Sequence, residues 1–189
     1  MTQNRFWTSD THFFHRNVLK FCRHTRLGDT VEEMNEILIQ NWNENVKPMD
    51  IVYHLGDFSF GKKEQTEEIL KRLNGQIHLI RGNHDNQFDS SLKNYLTWHG
   101  DYKEITKKVL GEQVCMMHYP IEAWKNQDYG SIMLHGHLHG GNSQHPISKI
   151  KNRMDVGIDT RTDMRLYSWE EIKLQLGNAE PLVQEVLSK

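Results

Sequence analysis

The chain has little that would staple it together or anchor it. Its two cysteines, Cys22 and Cys115, make neither a disulfide framework nor a thiolate metal knuckle, so a reduced, cytoplasmic setting is expected. Only 4 prolines occur, all near apparent segment boundaries, and no Pro/Ser/Gly-rich linker, repeat or low-complexity stretch is present. No apolar run approaches the roughly 18 residues that a membrane helix needs. The polar start, 1–5, leads straight into an apolar run. No signal peptide and no membrane partner are therefore expected. Nor is there an excess of positive charge. The formal net charge is -2 with neutral histidines, which argues against a nucleic-acid binder working by bulk charge and leaves room only for a local basic patch. What remains, 189 residues with 37% hydrophobic and 25% charged, fits a single soluble domain over 1–189 with a sizeable core.

Histidine is what the chain has in plenty, with 12. His24, His78, His99 and His145 read as surface or interface residues. Most of the others stand at the ends of short apolar runs. Runs at 6–9, 51–55, 77–81, 114–117, 132–134 and 154–156 predict strands. Segments 102–105 and 107–110 predict a further pair of meander strands, with a turn at Gly111-Glu112. Helices are predicted over 31–46, where Thr30 and Glu33 make a capping box, and over 64–74, stopped by Gly75. Ser168 with Glu171 starts another, through about 176. The alternation predicts an α/β fold. The late strands without helices predict a mixed or second sheet.

Five apolar runs end at their carboxyl side in metal-ligand residue types. They lead into Asp10-Thr11-His12, Gly56-Asp57, Gly82-Asn83-His84-Asp85, His118 and Gly136-His137-Leu138-His139. That edge of an α/β sheet is where active sites form. Taken singly, each motif has a plainer reading. Asp10 suits a helix cap, Asp57 and Asn83 suit turns, and His118 suits a packed core histidine. The joint pattern favours a metal site. Carboxylate, imidazole and amide oxygen together suit Mn, Fe, Zn or Ni, whereas an all-oxygen cage would suit Mg or Ca. The glycines before Asp57, Asn83 and His137 allow close backbone approach.

These five blocks resemble, in order, the signature of the calcineurin-like metallophosphoesterase family: D-x-H, G-D, G-N-H-[DE], a lone H, and G-H-x-H. They span about residues 6 to 139, and 154–159 resembles the family's late strand. The resemblance implies two facing mixed β-sheets flanked by helices, a four-layer αββα sandwich. It implies two divalent transition metals, manganese foremost, with Fe, Zn or Ni as alternatives. Asp10, His12, Asp57 and His139 would hold the first. Asp57, Asn83, His118 and His137 would hold the second, with Asp57 and a hydroxide bridging. His84 would act as the acid, oriented by Asp85. Candidate substrate contacts are His15, Arg16, Asn17, Arg23 and Arg26 after the first block, and Tyr119 and Lys125 after the fourth. His54 and His135 read as supporting or core residues.

The expected function is hydrolysis of a phosphodiester or phosphomonoester, with a small or nucleotide-like substrate favoured. A nuclease on short or single-stranded nucleic acid is the alternative within enzymes. A non-catalytic scaffold for protein binding is the alternative of another class. The oligomeric state is left open.

Overall fold

The computed structural model describes residues 3–88, 91–140 and 150–177; His145 lies outside them. Two sheets face each other. The first has the order β4-β3-β2-β1-β9, with β1 (Arg5–Thr8), β2 (Ile51–His54), β3 (Gln76–Ile80), β4 (Trp98–Gly100) and β9 (Tyr167–Ser168). Strands β1 to β4 run parallel and β9 antiparallel to β1. The second has the order β5-β6-β7-β8, with β5 (Tyr102–Ile105), β6 (Val114–Met117), β7 (Ile132–His135) and β8 (Arg153–Asp155). Here only β5 is antiparallel. The expected α/β fold of two mixed sheets with flanking helices is therefore present.

Side-chain alternation explains how one strand serves two cores. On β2, Val52 joins the helix-side core while Tyr53 joins the core between the sheets. On β6, Val114 and Met116 point between the sheets, and Cys115 points outward to Trp124 and Met133. The helix-side core is closed by α2 (Val31–Asn45) and α3 (Lys63–Arg72) through Met34, Leu38, Trp42, Ile69 and Leu70. The capping box predicted for α2 is made: Glu33 N–H donates to Thr30 Oγ1 at 3.1 Å, and Thr30 N–H to the Glu33 carboxylate at 3.3 Å. Helix α5 (Trp169–Gly177) places Trp169 and Ile172 between the sheets.

Segment 107–110 differs from expectation. It forms one helical turn, α4 (Lys107–Leu110), closed by Gly111 at φ 82°. The left-handed glycine caps a turn of helix, and α4 buries no residue that would hold it as a strand. Helix α1 (Val18–Phe21) and strands β4 and β9 are too short to leave a readable period in the sequence. His78 is half-buried, 5.2 Å ring to ring from Tyr53, rather than a surface residue. Among the described residues, no helix is long and apolar enough to cross a membrane.

Candidate metal centre

Both sheets deliver their parallel strands' carboxyl ends to one place. The sheets are stitched there by a parallel bridge between Ser9 and Gly157, with Ile158 N–H donating to Ser9 O at 3.0 Å. The loops leaving β1, β2 and β7 then turn sharply. Asp10, His12, Asp57, His137 and His139 all have positive φ, between 49° and 72°. Non-glycine residues rarely adopt that conformation, and such strain persists where the surroundings enforce it. Two glycines admit these turns. A Cβ on Gly56 would meet Gly82 N and His118 Nδ1, each at 2.6 Å. A Cβ on Gly136 would collide with Ser9 Oγ and Asp10 Oδ2.

The result is a cluster of ligand-type atoms turned toward one another. His118 Nδ1 lies 2.7 Å from Leu55 O, so the ring carries its proton there and turns a bare Nε2 inward. That Nε2 faces Asn83 Oδ1 at 3.1 Å and Asp57 Oδ2 at 3.7 Å. His139 Nδ1 lies 2.6 Å from Asp159 Oδ2, and its Nε2 faces His12 Nε2 at 3.3 Å. His12 Nε2 in turn lies 3.8 Å from both Asp10 Oδ1 and Asp57 Oδ2. Asp10 Oδ1 is buried with no hydrogen-bond partner. Ligand atoms about 2.0–2.2 Å from one ion sit about 3–4 Å from each other, which is the spacing found. The residues present therefore fit divalent metal. Asp10, His12 and His139 form one compact group, and Asp10, Asp57 and His118 another.

The charges tell the same story. Burial, with Asp155 nearby, pushes the Asp10 carboxyl up to about 8. Burial, with His139 and Arg26 adding, pushes His12 down to about 2. A carboxyl so placed needs a nearby cation to stay ionised at neutral pH, whereas an imidazole so placed is already neutral and free to act as a ligand. His139 is the exception. Burial opposes its charge, but the Asp159 hydrogen bond and the Cys22 contact outweigh burial and hold the ring up at about 10.

The expected substrate contacts divide. His15 borders the cleft over the cluster, a space of about 370 Å³. Tyr119 borders a neighbouring cleft with Arg81 and Phe88, its ring 4.9 Å from that of His137. Arg16 and Asn17 are exposed, and Arg23 pairs with Asp29 at 3.5 Å; none of the three borders the cleft. Lys125 is engaged by Glu104 at 2.7 Å.

Arg26 is a correction. It is buried, donating to both Asp159 oxygens at 2.7 Å and to the carbonyls of Thr11 (2.8 Å) and Asp10 (2.5 Å). It braces the D-x-H loop from behind and presents nothing to a substrate. Asp159, which no spacing singles out, is the hub joining Arg26 to His139. Replacing Arg26 by Met should cost about 3–5 kcal/mol, because a buried carboxylate loses its partner. Urea unfolding of the metal-free protein checks this; a loss under about 1 kcal/mol would mean that the pair contributes no more than a surface one.

Asp85 is a second correction. Its carboxylate accepts the N–H groups of Asp57 and Gly82 on Oδ2 (2.8 and 2.7 Å) and of Phe58 on Oδ1 (2.9 Å). It ties two ligand loops together and makes no bond to the His84 ring. Burial nonetheless pushes its carboxyl upward.

His54 supports the loops from below. Thr11 Oγ1 donates to Phe58 O at 2.8 Å, so it must accept from His54 Nε2 at 2.9 Å. His54 Nδ1 accepts Gly56 N–H at 3.2 Å. Only the neutral ring satisfies both bonds, and burial, with His118 beside it, lowers its pKa from 6.5 to about 3. In that window the unfolded chain binds a proton that the native state does not, so stability should fall as pH drops from about 6.5 toward 3. NMR of the His54 ring checks it; protonation near 6.5 in the folded state would contradict it.

A sandwich of two mixed sheets holding this donor set at its meeting edge defines a metal-binding α/β protein. The chain belongs to the calcineurin-like phosphoesterase family, whose model matches residues 6–182. It is thus a hydrolase acting on phosphoric esters, in a family that depends on metal. An uncharacterised protein of Methanocaldococcus jannaschii is 36% identical over 148 residues, covering 77% of this chain and 75% of its own. The gene 66 protein of Mycobacterium phage L5 is 26% identical over 197 residues, 89% and 92% of the two chains. Among solved structures, a protein of unknown function from Aquifex aeolicus superposes with a TM-score of 0.72 at 25% identity, covering 92% of this chain and all of that one.

Proposed function

We propose that the protein hydrolyses a small, nucleotide-like phosphoester at a centre of two divalent transition-metal ions, with manganese the foremost choice. One observation carries the reading: Asp57 Oδ2 lies 3.8, 3.7 and 4.0 Å from the Nε2 atoms of His12, His118 and His84. A carboxylate there faces both donor groups and the mouth of the cleft. Asp10, His12, Asp57 and His139 would hold one ion; Asp57, Asn83, His118 and His137 would hold the other. Bound there, the ions supply an activated water and positive charge for the phosphoryl oxygens.

The chain's own groups supply the rest. The His84 N–H donates to Asp57 Oδ1 at 2.9 Å, which fixes its backbone over the ligands. Its imidazole is 46% exposed, so it can meet both a substrate and solvent protons. The Phe60 ring, 4.5 Å from it, limits where it can swing. In this position His84 gives a proton to the leaving oxygen.

The test is a panel on manganese-loaded protein: para-nitrophenyl mono- and diesters, cyclic nucleotides, dinucleotides and short oligonucleotides. Small esters should turn over fastest. Faster cleavage of oligonucleotides would favour the nuclease reading. Full metal loading with no ester cleaved would favour a scaffold.

A further inference from the structure

The cleft over the metal cluster is lined by two unlike sets of side chains. One is the ligand set. The other is apolar, made by Val18, Phe21, Cys22 and Phe60. Its two phenylalanines are left open, Phe21 at 78% and Phe60 at 41% exposure. A single exposed apolar ring on a protein surface needs no explanation. Two bordering the same small cleft, beside a phosphoester site, form a feature.

The Phe60 ring is held in place, and Phe21 is carried by an anchored helix. Phe60 lies with ring centroids 4.0 Å from His15, 4.5 Å from His84 and 5.2 Å from His12. Phe21 ends α1, whose Val18 and Leu19 are buried in the helix-side core and whose Val18 N–H donates to His15 Nδ1 at 3.1 Å. The helix is pinned on its inner side and carries Phe21 at the rim. Among the described residues, no lysine or arginine lines this cleft. A second phosphate or a polyanionic chain would find no basic side chain among these lining residues, whereas an uncharged flat ring would find two aromatic side chains.

We propose that Phe21 and Phe60 form a stacking wall that selects phosphoesters carrying a planar aromatic ring, such as a nucleobase, next to the reacting phosphoryl group. This rests on the phosphoesterase reading. It adds the residues that set specificity, and it accounts for a helix that the ligand set does not need.

The test compares esters that share a reacting centre and differ only in the ring. Adenosine 5′-phosphate is set against ribose 5-phosphate, and the methyl diester of each against the other, on manganese-loaded protein. The base-bearing ester should be preferred in kcat/KM by roughly 5- to 150-fold, the span of one base–aromatic contact. The preference should appear mainly in KM. Phe21→Ala should shrink the ratio toward one, and Phe21→Trp should keep it. Phe21 is open to solvent, so its replacement does not threaten the fold. Phe60→Leu serves as the second variant. Binding of adenosine 5′-phosphate, followed by calorimetry, should weaken in parallel. Equal kcat/KM for the two members of a hydrolysed pair would overturn the stacking wall and leave the phosphoesterase reading standing. So would a base preference that survives both Phe21→Ala and Phe60→Leu. If neither pair is cleaved while para-nitrophenyl esters are, the stacking wall falls and the phosphoesterase reading stands; if none of these esters is cleaved, both readings fall, and the exposed rings belong to a protein-docking face instead.

Discussion

Asp57→Asn should strip the protein of metal and of turnover together. Asparagine keeps the shape and one oxygen, so the His84 N–H at 2.9 Å still finds an acceptor and the loop through Asp85 holds its course. What goes is the negative charge that Nε2 atoms surround at 3.7 to 4.0 Å. Losing a residue that merely supports a ligand typically costs about 10–100-fold in affinity or activity. Losing the central carboxylate should exceed that. Elemental analysis of purified protein, beside turnover of a para-nitrophenyl diester, measures both. A variant with full metal content and the parent rate would remove Asp57 from the centre.

His84→Ala should fail in the opposite way. It leaves all seven proposed ligands in place, so metal content should stay at the parent level. Turnover should drop by about 10²–10⁴-fold, the usual value of a positioned general acid. The drop should depend on the leaving group. An alkoxide leaves badly without a proton and should suffer most; para-nitrophenolate leaves unaided and should suffer least. Loss of metal would make His84 a ligand. Retained metal with parent rates on both ester types would make it a bystander. The acid would then be sought at His15, whose ring lies 5.5 Å from His12 in the same cleft.

These two experiments separate residues that look alike in the sequence. Asn83, His84 and Asp85 are consecutive, yet the fold sends them to three tasks. Asn83 Oδ1 turns toward His118, the His84 ring opens to the cleft, and the Asp85 carboxylate turns inward onto three backbone N–H groups.

The sequence by itself determined the strands and their ends, because an apolar run and the polar residues after it are local signals. Five strand ends carrying metal-ligand types were enough for a resemblance that gave the family and seven candidate ligands. Short apolar runs were enough for the two sheets' main strands, helical spacing with caps for α2 and α3, and the Ser168–Glu171 pair for α5. α1, β4 and β9 escaped because each spans only two to four residues and none carries a continuous apolar run that would mark it. Only the tertiary structure decided what lies behind and beside the ligands. Arg26 reads like any loop arginine until the fold buries it against Asp159, 133 positions away. Nothing in the sequence sets Phe21 apart until α1 places it on the rim of the cleft that the histidines line. Ligand identity is chemical and travels with the residue type. Support and specificity depend on which side chains the chain brings together across long sequence distances, and that is a property of packing alone.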